Sequence, residues 1–133
     1  MGWIDNDLTS LGGYSETVSG YLNVPVPCNY PVTGRDAFRT GTGIHTAAIL
    51  KAIENNDEWL ANRVYSPYPP QWVGRELSIE VGPMSGKSNA VYWLKKNNFP
   101  VNDDMIEKIL IRAKESDRVL KDEEIMEVIK DNQ

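Results

Sequence analysis

The run Val24-Pro25-Val26-Pro27-Cys28-Asn29-Tyr30-Pro31 sets three prolines within eight residues. Each proline fixes its own φ, removes a backbone donor and pushes the residue before it into an extended conformation. No helix or central strand can pass through such a run, so it must be an extended connector. A second barrier follows at Tyr65-Ser66-Pro67-Tyr68-Pro69-Pro70. A chain of 133 residues cut in this way has room only for short elements and small cores.

Outside these barriers the hydrophobic period is mostly helical. Leu8, Leu11, Ser15, Val18 and Leu22 recur every three or four residues, which predicts a helix over residues 4–22, weakened by Gly12-Gly13. A lone helix followed by a proline strap reads as the end of something larger. A second helix is expected over residues 42–54 with Ile44, Ala48, Ile49, Ala52 and Ile53 inward, and a shorter one over 58–64. Leu77-Ser78-Ile79-Glu80-Val81 alternates apolar and polar, the pattern of a strand. Ser85-Gly86-Lys87-Ser88 opens a helix reaching Lys96, with Ala90, Val91 and Leu94 inward.

Two more helices close the sequence. Asn102 can cap the first, which runs to residue 116 with Met105, Ile106, Ile109, Leu110 and Ala113 inward. Asp122-Glu123-Glu124 suits the start of the second, whose apolar side is Ile125, Met126, Val128 and Ile129. The expected fold is mainly α (α+β), with one or two short strands, in two small units meeting near Gly82.

Composition narrows the function. The net charge is −5, and residues 101–133 hold ten acidic against six basic residues. No basic stripe marks a nucleic-acid partner. No apolar run is long enough to cross a bilayer. The first seven residues lack the basic and apolar regions of a secretory signal, and the single cysteine rules out an internal disulfide. These features fit a cytoplasmic protein without a membrane partner.

Few residues can carry chemistry. Gly82-Pro83-Met84-Ser85-Gly86-Lys87-Ser88 follows a strand and ends in Gly-Lys-Ser, but only three residues separate its glycines where a phosphate-binding loop needs four. It reads as a plain helix cap first and a site for a single anion second. One His and one Cys leave no metal-binding cluster, so no metal ligand is expected here. Cys28 has no neighbouring base to activate it. His45, the sole histidine, is delivered by the Gly-rich turn Gly41-Thr42-Gly43 to the first turn of a helix. On spacing alone it is first a capping or packing residue and second a general base. Tyr68, stiffened between Pro67 and Pro69, is either an aromatic plug or a presented hydroxyl donor.

Five blocks taken in order carry a resemblance. Residues 24–34 with Asp36-Ala37-Phe38, Thr42-Gly43-Ile44-His45, Tyr65-Ser66-Pro67-Tyr68-Pro69, Val73-Gly74-Arg75 and residues 79–87 are similar to the 2-isopropylmalate synthase and homocitrate synthase family. The resemblance covers nearly the whole chain and implies a C-terminal fragment lacking the TIM barrel. Residues 1–23 would be the barrel's last helix, 24–81 a first linker subdomain with His45 and Tyr68, and 82–133 a helical second linker subdomain.

It also implies an acyltransferase that condenses acetyl-CoA, its co-substrate, with a 2-oxo acid, as in leucine biosynthesis. The divalent metal of that reaction belongs to the parent barrel, which leaves the fragment without a cofactor and inactive alone. His45 and Tyr68 match the linker residues that reach into the partner's site in a homodimer. Family members often carry Gln-Asp after the histidine, where this chain has Thr46-Ala47. The exposed face of the first helix implies self-association. A reading of a different class is a non-catalytic helical protein-interaction module, suggested by the acidic closing helices and the aromatic loop.

Overall fold

The computed structural model describes residues 6–130. Among these the protein is mainly helical, with six α-helices, one pair of parallel two-residue strands and no barrel. The chain divides into two compact units that are discontinuous in sequence, residues 6–39 with 62–78, and 40–61 with 79–130. It changes unit three times, at β1 (Arg39–Thr40), between Ala61 and Asn62, and at β2 (Ser78–Ile79). Within the first unit the Ser78 N–H donates to the Phe38 carbonyl, and within the second the Glu80 N–H donates to the Thr40 carbonyl, both at 2.9 Å.

The first unit holds one helix, α1 (Leu11–Leu22). It begins later than its apolar period suggests. The Asp7 carboxylate accepts the backbone N–H and the hydroxyl of Thr9, at 2.9 and 2.7 Å, and such a local turn competes with helical geometry. Residues 4 and 5 of the expected helix lie outside the described residues. Asn23 ends α1 in the left-handed region at φ 53°, and its N–H bonds the Gly20 carbonyl. No residue of α1 is buried. The proline-rich loop contains a 3-10 turn, Pro70–Val73, with proline at its first position and Gly74 closing it at φ 67°.

The second unit is built on a core. It holds α2 (Gly43–Glu54), the single turn α3 (Glu58–Ala61), α4 (Lys87–Lys96), α5 (Asp103–Glu115) and α6 (Asp122–Lys130). Helix α2 packs on α3 and α4, α4 on α5, and α5 on α6. Leu94, Ile109, Ala113, Ile125 and Ile129 share one apolar cluster, as their spacing predicts. Asn102 caps α5 by accepting the Met105 N–H at 2.8 Å. Asp122 stands in the first turn of α6 and accepts the Trp93 indole N–H at 2.7 Å, while Trp93 stacks on Phe99.

Two expectations change in detail. The buried stripe of α2 is Thr46, Ile49 and Ala52, while Ile44 is 74% exposed. The helix therefore turns inward the side that begins at His45, four residues before Ile49. Thr46 tolerates complete burial because its hydroxyl donates to the Thr42 carbonyl at 3.1 Å. The strand expected over residues 77–81 shrinks to Ser78–Ile79, because its partner stops at Thr40 before the glycine turn into α2. Ile79 and Val81 are still buried, so the alternation was a true burial pattern.

Candidate functional site

His45 is the third residue of α2 after the N-cap Thr42. It is half-buried, and its Nδ1 stands 3.4 Å from the Thr40 hydroxyl, a long contact that orients the ring. The start of α2 is fixed by the turn that follows β2. The Gly43 N–H donates to the Met84 carbonyl at 3.0 Å. Ser85 is buried, and its hydroxyl donates to the Gly41 carbonyl at 2.7 Å while accepting the Gly82 N–H at 2.8 Å. A hydroxyl spent in this way is no nucleophile.

The Gly82–Ser88 run is therefore a structural junction. Asn89, fully buried, accepts the Gly86 N–H through Oδ1 at 3.1 Å and donates from Nδ2 to the Glu80 carbonyl at 2.7 Å. Lys87 pairs with Asp103 at 2.6 Å. That pairing lowers the pKa of Asp103 through the lysine's hydrogen bond and charge.

Tyr68 belongs to the first unit. Its ring meets Phe38 edge-on, with centroids 5.7 Å apart, and its carbonyl accepts the Ser66 hydroxyl at 2.7 Å. It lines a cleft of about 420 Å³ with Tyr30, Val32, Asp36, Phe38 and Pro67. Behind Phe38 stands Arg75, whose guanidinium lies 5.9 Å from the ring centroid. Arg75 also donates to the carbonyls of Val32, Thr33 and Gly34, at 3.3, 3.1 and 3.3 Å.

Those carbonyls belong to a strained turn. Val32 sits at φ 67°, unusual for a β-branched residue, and the Thr33 N–H reaches back to the Pro31 carbonyl at 2.7 Å. Cys28 is exposed on the connector. Among the described residues no group of three or more His, Cys, Asp or Glu side chains stands together as a metal site requires. None of the helices there is long and apolar enough to cross a membrane.

The sequence singles out His45 and Tyr68, but Thr40, Ser85, Asn89 and Arg75 escape it as site residues. The signal for Ser85 was the pairing of two glycine turns, Gly41-Thr42-Gly43 and Ser85-Gly86. Glycines at two distant turns allow two backbones to meet.

No protein-family model matches the chain. A homocitrate synthase of Methanopyrus kandleri is 33% identical over 104 residues, 78% of this chain and 24% of that protein. An (R)-citramalate synthase of Methanocaldococcus jannaschii is 33% identical over 101 residues, covering 76% and 19% of the two chains. A probable 2-isopropylmalate synthase of Ignicoccus hospitalis is 30% identical over 97 residues, covering 73% and 22%. The chain thus spans about a quarter or less of the length of these curated relatives. With such similarity over about three quarters of its length, the chain belongs to the family of 2-isopropylmalate, homocitrate and citramalate synthases.

Proposed function

We propose that this chain serves as the linker part of an acyltransferase that joins the acetyl group of acetyl-CoA to a 2-oxo acid. Residues 1–23 supply the last helix of a barrel, 24–81 the first linker subdomain and 82–133 the second. His45 acts as a base, taking a proton from the acetyl methyl group or from the water that hydrolyses the thioester. Tyr68 donates a hydrogen bond to a reacting oxygen. The observation that supports this most is His45 itself. It stands half-buried at the head of the buried stripe of α2, with its ring oriented by Thr40.

The substrate proposed is the branched acid 2-oxoisovalerate, which gives the 2-isopropylmalate synthase reaction of leucine biosynthesis. The described residues do not fit a metal, so no step assigned to this chain runs through one. The chain alone is expected to release no thiol from acetyl-CoA.

The test is thiol release by the intact synthase carrying this chain, offered 2-oxoisovalerate, 2-oxoglutarate or pyruvate. Release with none of them sinks the transferase reading, and release with another acid moves the assignment to homocitrate or citramalate synthesis. His45→Ala is expected to lower kcat by roughly 10²–10⁴-fold. A wild-type rate in that variant would make His45 a packing residue.

One observation favours a second role for the same chain. Tyr14, Leu22, Val24 and Tyr30 are exposed and line one apolar groove between α1 and the connector, a surface suited to self-association. A non-catalytic interaction module would keep this surface but show no thiol release in any assembly.

A further inference from the structure

The turn after β2 sends its side chains and backbone back onto the entry to α2, and every link falls just ahead of the histidine. The Ser85 hydroxyl has one proton, and it goes to the Gly41 carbonyl at 2.7 Å, with the Glu80 carbonyl at 3.3 Å. The Gly43 N–H goes to Met84 of the same turn at 3.0 Å. The two glycine backbones then touch. A Cβ built on Gly43 would come within 2.7 Å of the Gly86 nitrogen and 3.0 Å of its Cα. Asn89, with no exposed surface, holds Gly86 in place from inside α4.

We propose that Ser85 is a positioning residue for His45, fixing through the Gly41 carbonyl where α2 begins and so where the imidazole points. The proposal rests on His45 being the base. Three residues separate Gly41 from His45, and two of its links, at Gly41 and Gly43, straddle the N-cap Thr42. A helix so pinned at its first residue can neither slide nor rotate without breaking the hydrogen bond of the buried Ser85 or that of the Gly43 N–H. Thr40, which contacts the ring, immediately precedes the pinned Gly41, so base and orienter are held by one clamp.

His45 is the chain's only histidine, so its ring protons are an unambiguous NMR probe. Ser85→Ala is expected to move those resonances and weaken the contact between the ring and Thr40. In the intact synthase it is expected to lower kcat by roughly 10–100-fold, with KM within about twofold, because misplacing a catalytic group costs rate more than binding. Ser85→Thr keeps the hydroxyl and should restore both. Gly43→Ala strains the junction from its other side and must move the same resonances, which keeps the test open if Ser85→Ala does not fold.

A lowered melting temperature, with His45 resonances and kcat per folded molecule at wild-type values, would overturn the proposal. If instead His45→Ala retains activity while Ser85→Ala still displaces the ring, the base assignment falls and the clamp stands.

Discussion

The two units solve the problem of cohesion in opposite ways. The second buries Leu94, Ile109, Ala113, Ile125 and Ile129 in a continuous apolar cluster drawn from three helices. The first buries nothing from its only described helix. Its buried residues are Gly34, Phe38, Pro69, Pro70 and Val73, all in loops and the 3-10 turn. What ties them is close backbone approach and one cation. A Cβ on Gly34 would meet Tyr30 O at 2.4 Å, and one on Gly74 would meet Thr9 O at 2.1 Å. Arg75 gathers the carbonyls of Val32, Thr33 and Gly34. Burial is non-directional and survives approximate packing, whereas this second kind of cohesion depends on individual atoms. Each proposed catalytic residue inherits one regime, His45 the cored unit and Tyr68 the tied one.

The largest expected effect tests the core. Leu94 has no exposed surface, and Leu94→Ala is expected to destabilise the chain by about 2–5 kcal/mol, through lost burial and the cavity left behind. Val18, half-buried on α1, is expected to lose about 1 kcal/mol or less as Val18→Ala. Urea unfolding of the two variants measures both. Equal losses would mean that the first unit is cored like the second, and the contrast would be wrong.

The next effect tests the tie. Arg75→Lys keeps the charge but loses the planar fork that reaches three carbonyls. It is expected to cost about 1–2 kcal/mol, the scale of charge-assisted hydrogen bonds. Hydrogen exchange should quicken in residues 30–38 while α4–α6 stay protected, and the Tyr68 ring resonances should move with Phe38. Loosening spread evenly over the chain would show that Arg75 contributes only general stability. The strained Val32 at φ 67° sharpens the point, because such a conformation persists only where its surroundings over-determine it.

The same division separates what could be read from the sequence from what could not. Helices α4, α5 and α6 were legible because Ala90, Ile109 and Ile125 recur with a period that solvent exclusion itself imposes. The Asn102 cap was legible because its partner lies three residues away. On α2 the period was ambiguous. Ile44 looks inward by composition, but a fully bonded Thr46 takes the buried place, and no apolar count can foresee that. Arg75 bonds residues more than forty positions away, and Ser85 reaches Gly41 across 44. Links of that length leave no local periodicity. His45 and Tyr68 could be proposed from their blocks, but the long-range hydrogen bonds of Ser85 and Arg75 near them could not.

The smallest effect is electrostatic and lies in the cored unit. The Glu124 carboxyl is held down to about 2 from an ordinary 4.5, first by hydrogen bonds from Arg118 and then by the Lys121 N–H. Arg118 meets both of its oxygens, at 2.8 and 3.0 Å, and Arg112 adds a contact at 3.3 Å. A carboxyl depressed in the folded state adds stability that is fully present above its unfolded value. That contribution is lost as pH falls from 4.5 toward 2. The stability difference between the native chain and Glu124→Gln should therefore be constant near neutral pH and shrink through that acid window. Because Arg118 is half exposed, added salt should reduce the difference at neutral pH. A core variant such as Leu94→Ala should show neither dependence. A difference for Glu124→Gln that ignores both acid and salt would mean that the residue acts on α6 by packing, and the cored unit would then need no charge to close it.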